Sequence, residues 1–191
     1  MAVLEGESAQ ETVSRLSQEK AIAVASTLDS GLVIGADSLV VLDGRQIGKP
    51  VDEEDARRML RSLRGTNHQV TTGITVIDAG SGRSLTASMT SDVNLRHISN
   101  EEIEVSVASG TPMDKAGAYA VQDTDLRPAA SWGGCYSNIV GLPMCKLLEF
   151  LEELGHGQPA DRKRAADYCG ENCPNLVYSI GDQGQVQGDM Q

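Results

Sequence analysis

The stretch Leu32-Val33-Ile34-Gly35-Ala36-Asp37-Ser38-Leu39-Val40-Val41-Leu42, closed by Asp43-Gly44, decides the fold. Its aliphatic and β-branched residues read as a strand. Asp-Gly is a strong hairpin signal, so Arg45 to Ile47 is expected to return as a second strand. One residue breaks the run. Asp37 puts a carboxylate among apolar neighbours, and burying a carboxylate without a partner is expensive. Such a group needs a cation, a metal or an opening to solvent; a bulge at a strand end is the harmless alternative. Asp37 is therefore the first candidate for catalysis or metal binding.

Working back towards the N-terminus, Ser8 and Glu11 form an S-x-x-E capping box, and a helical pattern runs from there to about Leu28. Val13, Leu16 and Val24 mark its apolar face. Lys20 lies four residues from both Leu16 and Val24, so it shares that stripe. Its ammonium either snorkels to water at the edge of the core or points into a cleft, and spacing alone leaves both open. On the other side of the hairpin stands Gly48-Lys49-Pro50. Gly44 to Lys49 is one residue short of a P-loop, and Pro50 replaces the Ser or Thr that would touch magnesium, so that motif is rejected. Lys49 can still meet a phosphate as a point charge on a stiff turn.

Further along, Asp52 caps a helix reaching Leu63, with Gly65 as its stop. Two strands follow, His68 to Asp78 and Ser84 to Leu95, joined by a turn at Ala79-Gly80-Ser81-Gly82. Ser99 and Glu102 form a second capping box, for a short helix ending at Gly110. The segment Met113 to Gln122 sets Asp114, Lys115 and Gln122 among small residues that let backbone approach a ligand. The glycine-rich piece from Gly133 to Pro143 leads into a final amphipathic helix with Leu147, Leu148, Leu151 and Leu154 on its apolar face. From His156 the pattern fades into a Gln-, Gly- and Asp-rich tail, read as a loosely ordered extension of a 1–155 domain. Helices mixed with hairpins imply an α/β fold around a mixed sheet with flanking helices.

Composition narrows the function. With 191 residues, the chain is long enough for one domain or a compact two-lobed one, and its scarce aromatics imply an aliphatic core. A net charge of −11 argues against a nucleic-acid surface, although a few converging lysines can reverse the local field in a cleft. No apolar run is long enough for a membrane span and no signal pattern is seen, so the cytosol is the expected location. Cys169 and Cys173 are spaced C-x3-C, but nothing nearby completes a zinc set, and the four cysteines read as reduced thiols.

Several of these stretches, taken in order, resemble the Maf family. They are Gly6-Glu7-Ser8-Ala9-Gln10 through Arg15-Leu16 to Glu19-Lys20-Ala21, then Ile34 to Val40, Gly48-Lys49-Pro50, and Gly65 to Gly73. The strongest pieces are Asp114-Lys115-Ala116-Gly117-Ala118-Tyr119-Ala120-Val121-Gln122 and Tyr136-Ser137-Asn138-Ile139-Val140-Gly141-Leu142-Pro143. The resemblance implies hydrolysis of a nucleoside triphosphate to its monophosphate and pyrophosphate with a divalent metal (Mg²⁺ or Mn²⁺). It also implies the two-lobed fold of inosine-triphosphate pyrophosphatases, with homodimers usual. Asp37 matches the family's catalytic and metal-binding carboxylate, and Lys20, Lys49 and Lys115 would hold the triphosphate. Ser38 and Gln122 match the positions that separate the dTTP/UTP branch from the 7-methyl-GTP branch, which favours the pyrimidines.

The chain also departs from the family it resembles. The family's opening strand and its S-x-S-x-R-R loop precede the segment that matches here from Gly6, so a sheet edge and part of the core are expected to lie uncovered. Smaller departures are Ser38 for threonine and Ser106 where tyrosine is common. Two functions are compatible with this: a dTTP/UTP pyrophosphatase, or a non-catalytic module that binds nucleotide or a partner.

Overall fold

A capping box starts the first helix: Ser8 accepts from the Glu11 backbone N–H while Glu11 accepts from the Ser8 N–H, and α1 runs over Ala9–Ala25. In this computed structural model, residues 4–157 and Ala165 are described. The hairpin forms where Asp43-Gly44 places it, between β1 (Leu32–Leu42) and β2 (Arg45–Ile47). Asp52 caps α2 (Glu53–Leu63) by accepting from the Asp55 N–H. A long hairpin follows, β3 (Asn67–Asp78) with β4 (Ser84–Leu95), and the second capping box opens α3 (Asn100–Ala108). Two short 3₁₀ turns, Thr111–Asp114 and Ala116–Ala118, lead to β5 (Ala129–Gly133), α4 (Tyr136–Val140) and α5 (Met144–Glu153).

The five strands lie in the order β2-β1-β3-β4-β5 with α-helices flanking them, the α/β class read from the sequence. Where a mixed sheet was expected, all four pairings among the described strands are antiparallel. Hairpins account for β1–β2 and β3–β4. The connection through α2 returns the chain beside β1 in the opposite direction.

α1 lies across one face of the sheet at a distance set by two glycines. A Cβ on Gly73 would overlap the Val13 carbonyl and stand 2.8 Å from the Ser14 nitrogen. One on Gly35 would meet the Ser17 carbonyl and stand 2.9 Å from the Ala21 Cβ. The helix thus crosses from β3 near its start to β1 further on, and Ser17 hydrogen-bonds Thr75 beneath it at 2.9 Å. Val13 and Leu16 are buried as the periodicity predicts, but Val24 is 51% exposed. The next residue, Ala25, still packs against Val33 and Ile77, so Val24 lies on the flank of the helix turned from the sheet, which spacing alone does not show.

That margin is open because β2 pairs only with Val40, Val41 and Leu42. Among the described residues, no strand lies beside Leu32 to Leu39 on that side, and Leu32 and Ile34 are exposed there.

The opposite face carries two apolar clusters. Val40, Val70 and Val93 pack with Leu60, Leu63, Ile103 and Val107 of α2 and α3. Ile74 and Val76 pack with Leu147, Phe150 and Leu154 at α5. α4 sits where they meet, Ile139 on the first and Leu142 just beyond it on the second. Cys135 and Cys145 are both buried. The Cys169–Cys173 spacing and nearly all of the tail lie outside the described residues, although Ala165 is buried against Cys135, Cys145 and Leu148. No described helix is long and apolar enough to cross a membrane.

Candidate active site

Strand alternation sends Asp37 to the α1 face and Ser38 to the opposite face. Both nevertheless line one cleft of ≈ 240 Å³, because it opens around the uncovered margin of β1. All six residues singled out from the sequence line it: Lys20, Asp37, Ser38, Lys49, Lys115 and Gln122. α1 settles the open question about Lys20. Pressed down by the glycine contacts, the helix delivers the ammonium to Asp37, where it donates to the Asp37 carboxylate and, at 3.0 Å, to the Ala36 carbonyl. The Asp37 side chain is only 17% exposed, so this cation is the partner that makes a carboxylate tolerable within an apolar run.

The other two lysines come from loops that are tied together. The Gly117 N–H donates to the Gly48 carbonyl at 2.9 Å, joining the Gly48-Lys49-Pro50 turn to the 114–122 segment. Lys115 donates to Asp114, and this ammonium, with Lys49 adding to it, holds the Asp114 carboxyl below its ordinary range. Gln122 closes the segment. Three ammonium groups therefore converge on one cleft of a protein whose net charge is −11, so the cleft runs opposite in sign to the molecule as a whole.

Tyr119 forms part of the wall and is held from behind by His68, whose Nε2 lies 2.6 Å from the phenol oxygen. Both are buried. Burial pushes the His68 imidazole down from 6.5 to about 4 and the Tyr119 phenol up. His68 is thus neutral in the native state at neutral pH. Below pH 6.5 the unfolded chain takes up a proton that the native state takes up only near pH 4. Stability is therefore expected to fall by up to about 3 kcal/mol as pH drops through that window. Urea midpoints measured across it should fall less steeply for His68→Gln than for the parent; identical slopes would remove His68 as the cause.

Several lining residues were given no role of their own from the sequence: Asp114, Tyr119 and the α4 end at Ile139-Val140-Gly141. Asp114 and Tyr119 stood inside a motif already recognised; α4 carried no helical signal. A larger hollow of ≈ 580 Å³, lined by Val105, Ser106 and Leu126 among others, borders Gln122 from the α3 side. It contains neither Asp37 nor a lysine, so the smaller cleft is the candidate site. Among the described residues, no group of three or more His, Cys, Asp or Glu is arranged to hold a metal by itself. A single carboxylate is nonetheless a normal protein contribution to a magnesium ion that takes its other ligands from substrate phosphates and water. The donor set fits a metal that arrives with a nucleotide.

An α/β sheet whose open margin gathers two carboxylates, Asp37 and Asp114, and three lysines defines the class of proteins that bind a multiply charged anion and can activate water beside it. The chain belongs to the Maf family: the family described as Maf-like protein matches residues 2–154. It is 47% identical over 146 residues, covering 76% of each chain, to a dTTP/UTP pyrophosphatase of Pelotomaculum thermopropionicum. Similar relatives are the dTTP/UTP pyrophosphatases of Desulforamulus reducens, 43% identical over 78% of each chain, and Geobacter sulfurreducens, 42% identical over 78% of each chain.

Proposed function

We propose that the chain hydrolyses nucleoside triphosphates, dTTP and UTP foremost, to the monophosphate and pyrophosphate. The observation that carries this reading is the Asp37–Lys20 pair set in the same cleft as Lys49, Lys115 and Gln122. Without ligand, Lys20 neutralises Asp37. A triphosphate, with more negative charge than one carboxylate, competes for the Lys20 ammonium and draws it away. The Asp37 oxygens are then available to accept a proton from water as its oxygen attacks the α-phosphorus. The bond to the bridging α–β oxygen breaks and pyrophosphate leaves, its charge offset by Lys49 and Lys115. A divalent cation held by Asp37 and phosphate oxygens, Mg²⁺ or Mn²⁺, would supply further charge neutralisation. On this reading residues 1–155 form the catalytic domain, with 156–191 an appendage, and the protein works as a cytoplasmic homodimer.

Gln122 lies in the cleft, and its carboxamide offers both a donor and acceptors to a base edge. The test is pyrophosphate release by the 191-residue chain with Mg²⁺ on dTTP, UTP, CTP, GTP, ATP and 7-methyl-GTP. Activity should concentrate on dTTP and UTP. Gln122→Ala should shrink the preference for these two by about tenfold, the weight of one hydrogen bond, while binding of inorganic triphosphate stays as in the parent. An unchanged substrate ranking in the variant would remove Gln122 from base recognition.

A further inference from the structure

Resting on the dTTP/UTP reading above, we infer that Thr72 and Asn138 fix the Ser38 hydroxyl as a hydrogen-bond acceptor towards the cleft, which selects the ring N–H of uracil or thymine over cytosine. The deduction comes from counting protons. The Asn138 backbone carbonyl can only accept, so at 2.9 Å the Thr72 hydroxyl must donate to it. Thr72 has one hydroxyl proton, and that proton is now used. In its 2.8 Å bond with Ser38, Thr72 is therefore the acceptor and Ser38 the donor. The proton of Ser38 points inward, and only lone pairs remain for a ligand.

The chain of bonds is anchored. Asn138 is fully buried, and its side-chain amide donates to the Val70 carbonyl at 3.1 Å and to Ser91 Oγ at 3.0 Å, clamping α4 to β3 and β4. Thr72 is likewise fully buried in β3. On the cleft side, Gly141 has φ +111, and a Cβ there would stand 3.5 Å from Ser38 Oγ. Glycine meets the backbone requirement and keeps the oxygen clear.

Uracil and thymine carry one donor on their pairing edge, the N3–H, and an acceptor-only hydroxyl matches it. Cytosine has a lone pair at N3, so two acceptors would face each other there. Thr72 and Asn138 are positioning residues on this account, acting through Ser38.

The experiment compares kcat/KM for UTP and CTP, which share sugar, phosphates and ring size, in the parent, Thr72→Val, Thr72→Ser and Ser38→Ala. In Thr72→Val the Ser38 proton loses its inward acceptor and can turn to the cleft. The UTP:CTP ratio should fall by about tenfold. Thr72→Ser keeps the hydroxyl and should keep the parent's ratio. General damage to the fold would lower both nucleotides together and leave the ratio alone. Ser38→Ala gives a second reading that does not depend on Thr72→Val folding: a loss on UTP that spares CTP. An unchanged ratio in folded Thr72→Val, or equal losses in Ser38→Ala, overturns the inference. A parent that cleaves neither nucleotide fails the pyrophosphatase reading instead. Dissociation constants of UTP and CTP for the same proteins then read the same ratio without turnover.

Discussion

Asp37→Asn is expected to lower pyrophosphate release from dTTP by about 10³-fold, the range lost when a positioned general base is removed. The substitution keeps the size and hydrogen-bonding reach of the side chain but cannot take a proton at neutral pH. It also releases Lys20 from its ion pair, because an amide oxygen holds an ammonium less firmly than a carboxylate. Lys20 should then be more available to a phosphate, and the negative charge facing the triphosphate is gone. Nucleotide binding, followed by calorimetry with Mg²⁺, should therefore stay within a few fold of the parent. Turnover and affinity should separate. If the variant matches the parent in rate, Asp37 has no part in the mechanism; if rate and affinity collapse together, its role is to hold the ligand rather than to activate water.

The second large effect concerns stability. Gly73→Ala would drive a methyl group into the backbone of α1 at Val13 and Ser14, which cannot yield as the tip of a side chain can. Overpacking of this kind costs about 3 kcal/mol or more, which for a domain of this size is a fall in Tm of about 10 °C. Gly35→Ala meets the same helix at Ser17 and Ala21 and should behave alike. Gly133→Ala is the control, since its nearest neighbour would be the Asp92 Cβ at 4.0 Å. Thermal unfolding of the three variants checks the contrast. Equal melting of Gly73→Ala and Gly133→Ala would mean that α1 is not seated on the sheet as described. Because the same contacts carry Lys20 to Asp37, molecules of Gly73→Ala that remain folded should also lose activity.

Much of this architecture is written locally in the chain. Ser8 with Glu11, Ser99 with Glu102, Asp52 and Asp43-Gly44 are signals confined to a few residues, and each starts or turns the element it should. Asp37 was legible for a different reason: it is a charge in an apolar run, and a charge in such a place implies a partner, whereas for Lys20 the spacing left water and cleft both open. β5 and α4 were not legible. β5, Ala129-Ala130-Ser131-Trp132-Gly133, has no alternation of apolar and polar residues, and α4 has only five residues in a glycine-rich stretch without periodicity. Its place comes from distant partners, with Asn138 reaching Val70 and Ser91 across 68 and 47 positions. Nor could spacing show that Thr72 stands between Ser38 and Asn138, since that contact exists only once β1, β3 and α4 are assembled.

The open margin of β1 also governs how the molecules behave towards one another. Among the described residues no strand pairs with this side of Leu32 to Leu39, and with exposed Leu32, Ile34 and Val24 beside it the margin is a template on which a strand of a neighbouring polypeptide can add. What opposes the uncontrolled addition of further copies is their shared negative charge, −11 on each. Salt shortens the reach of that repulsion to about 8 Å at physiological strength and leaves the sticky margin unchanged. Colloidal stability is thus electrostatic rather than built into the sheet, and purification in high salt or at a pH near 4.6, where the charge vanishes, invites precipitation.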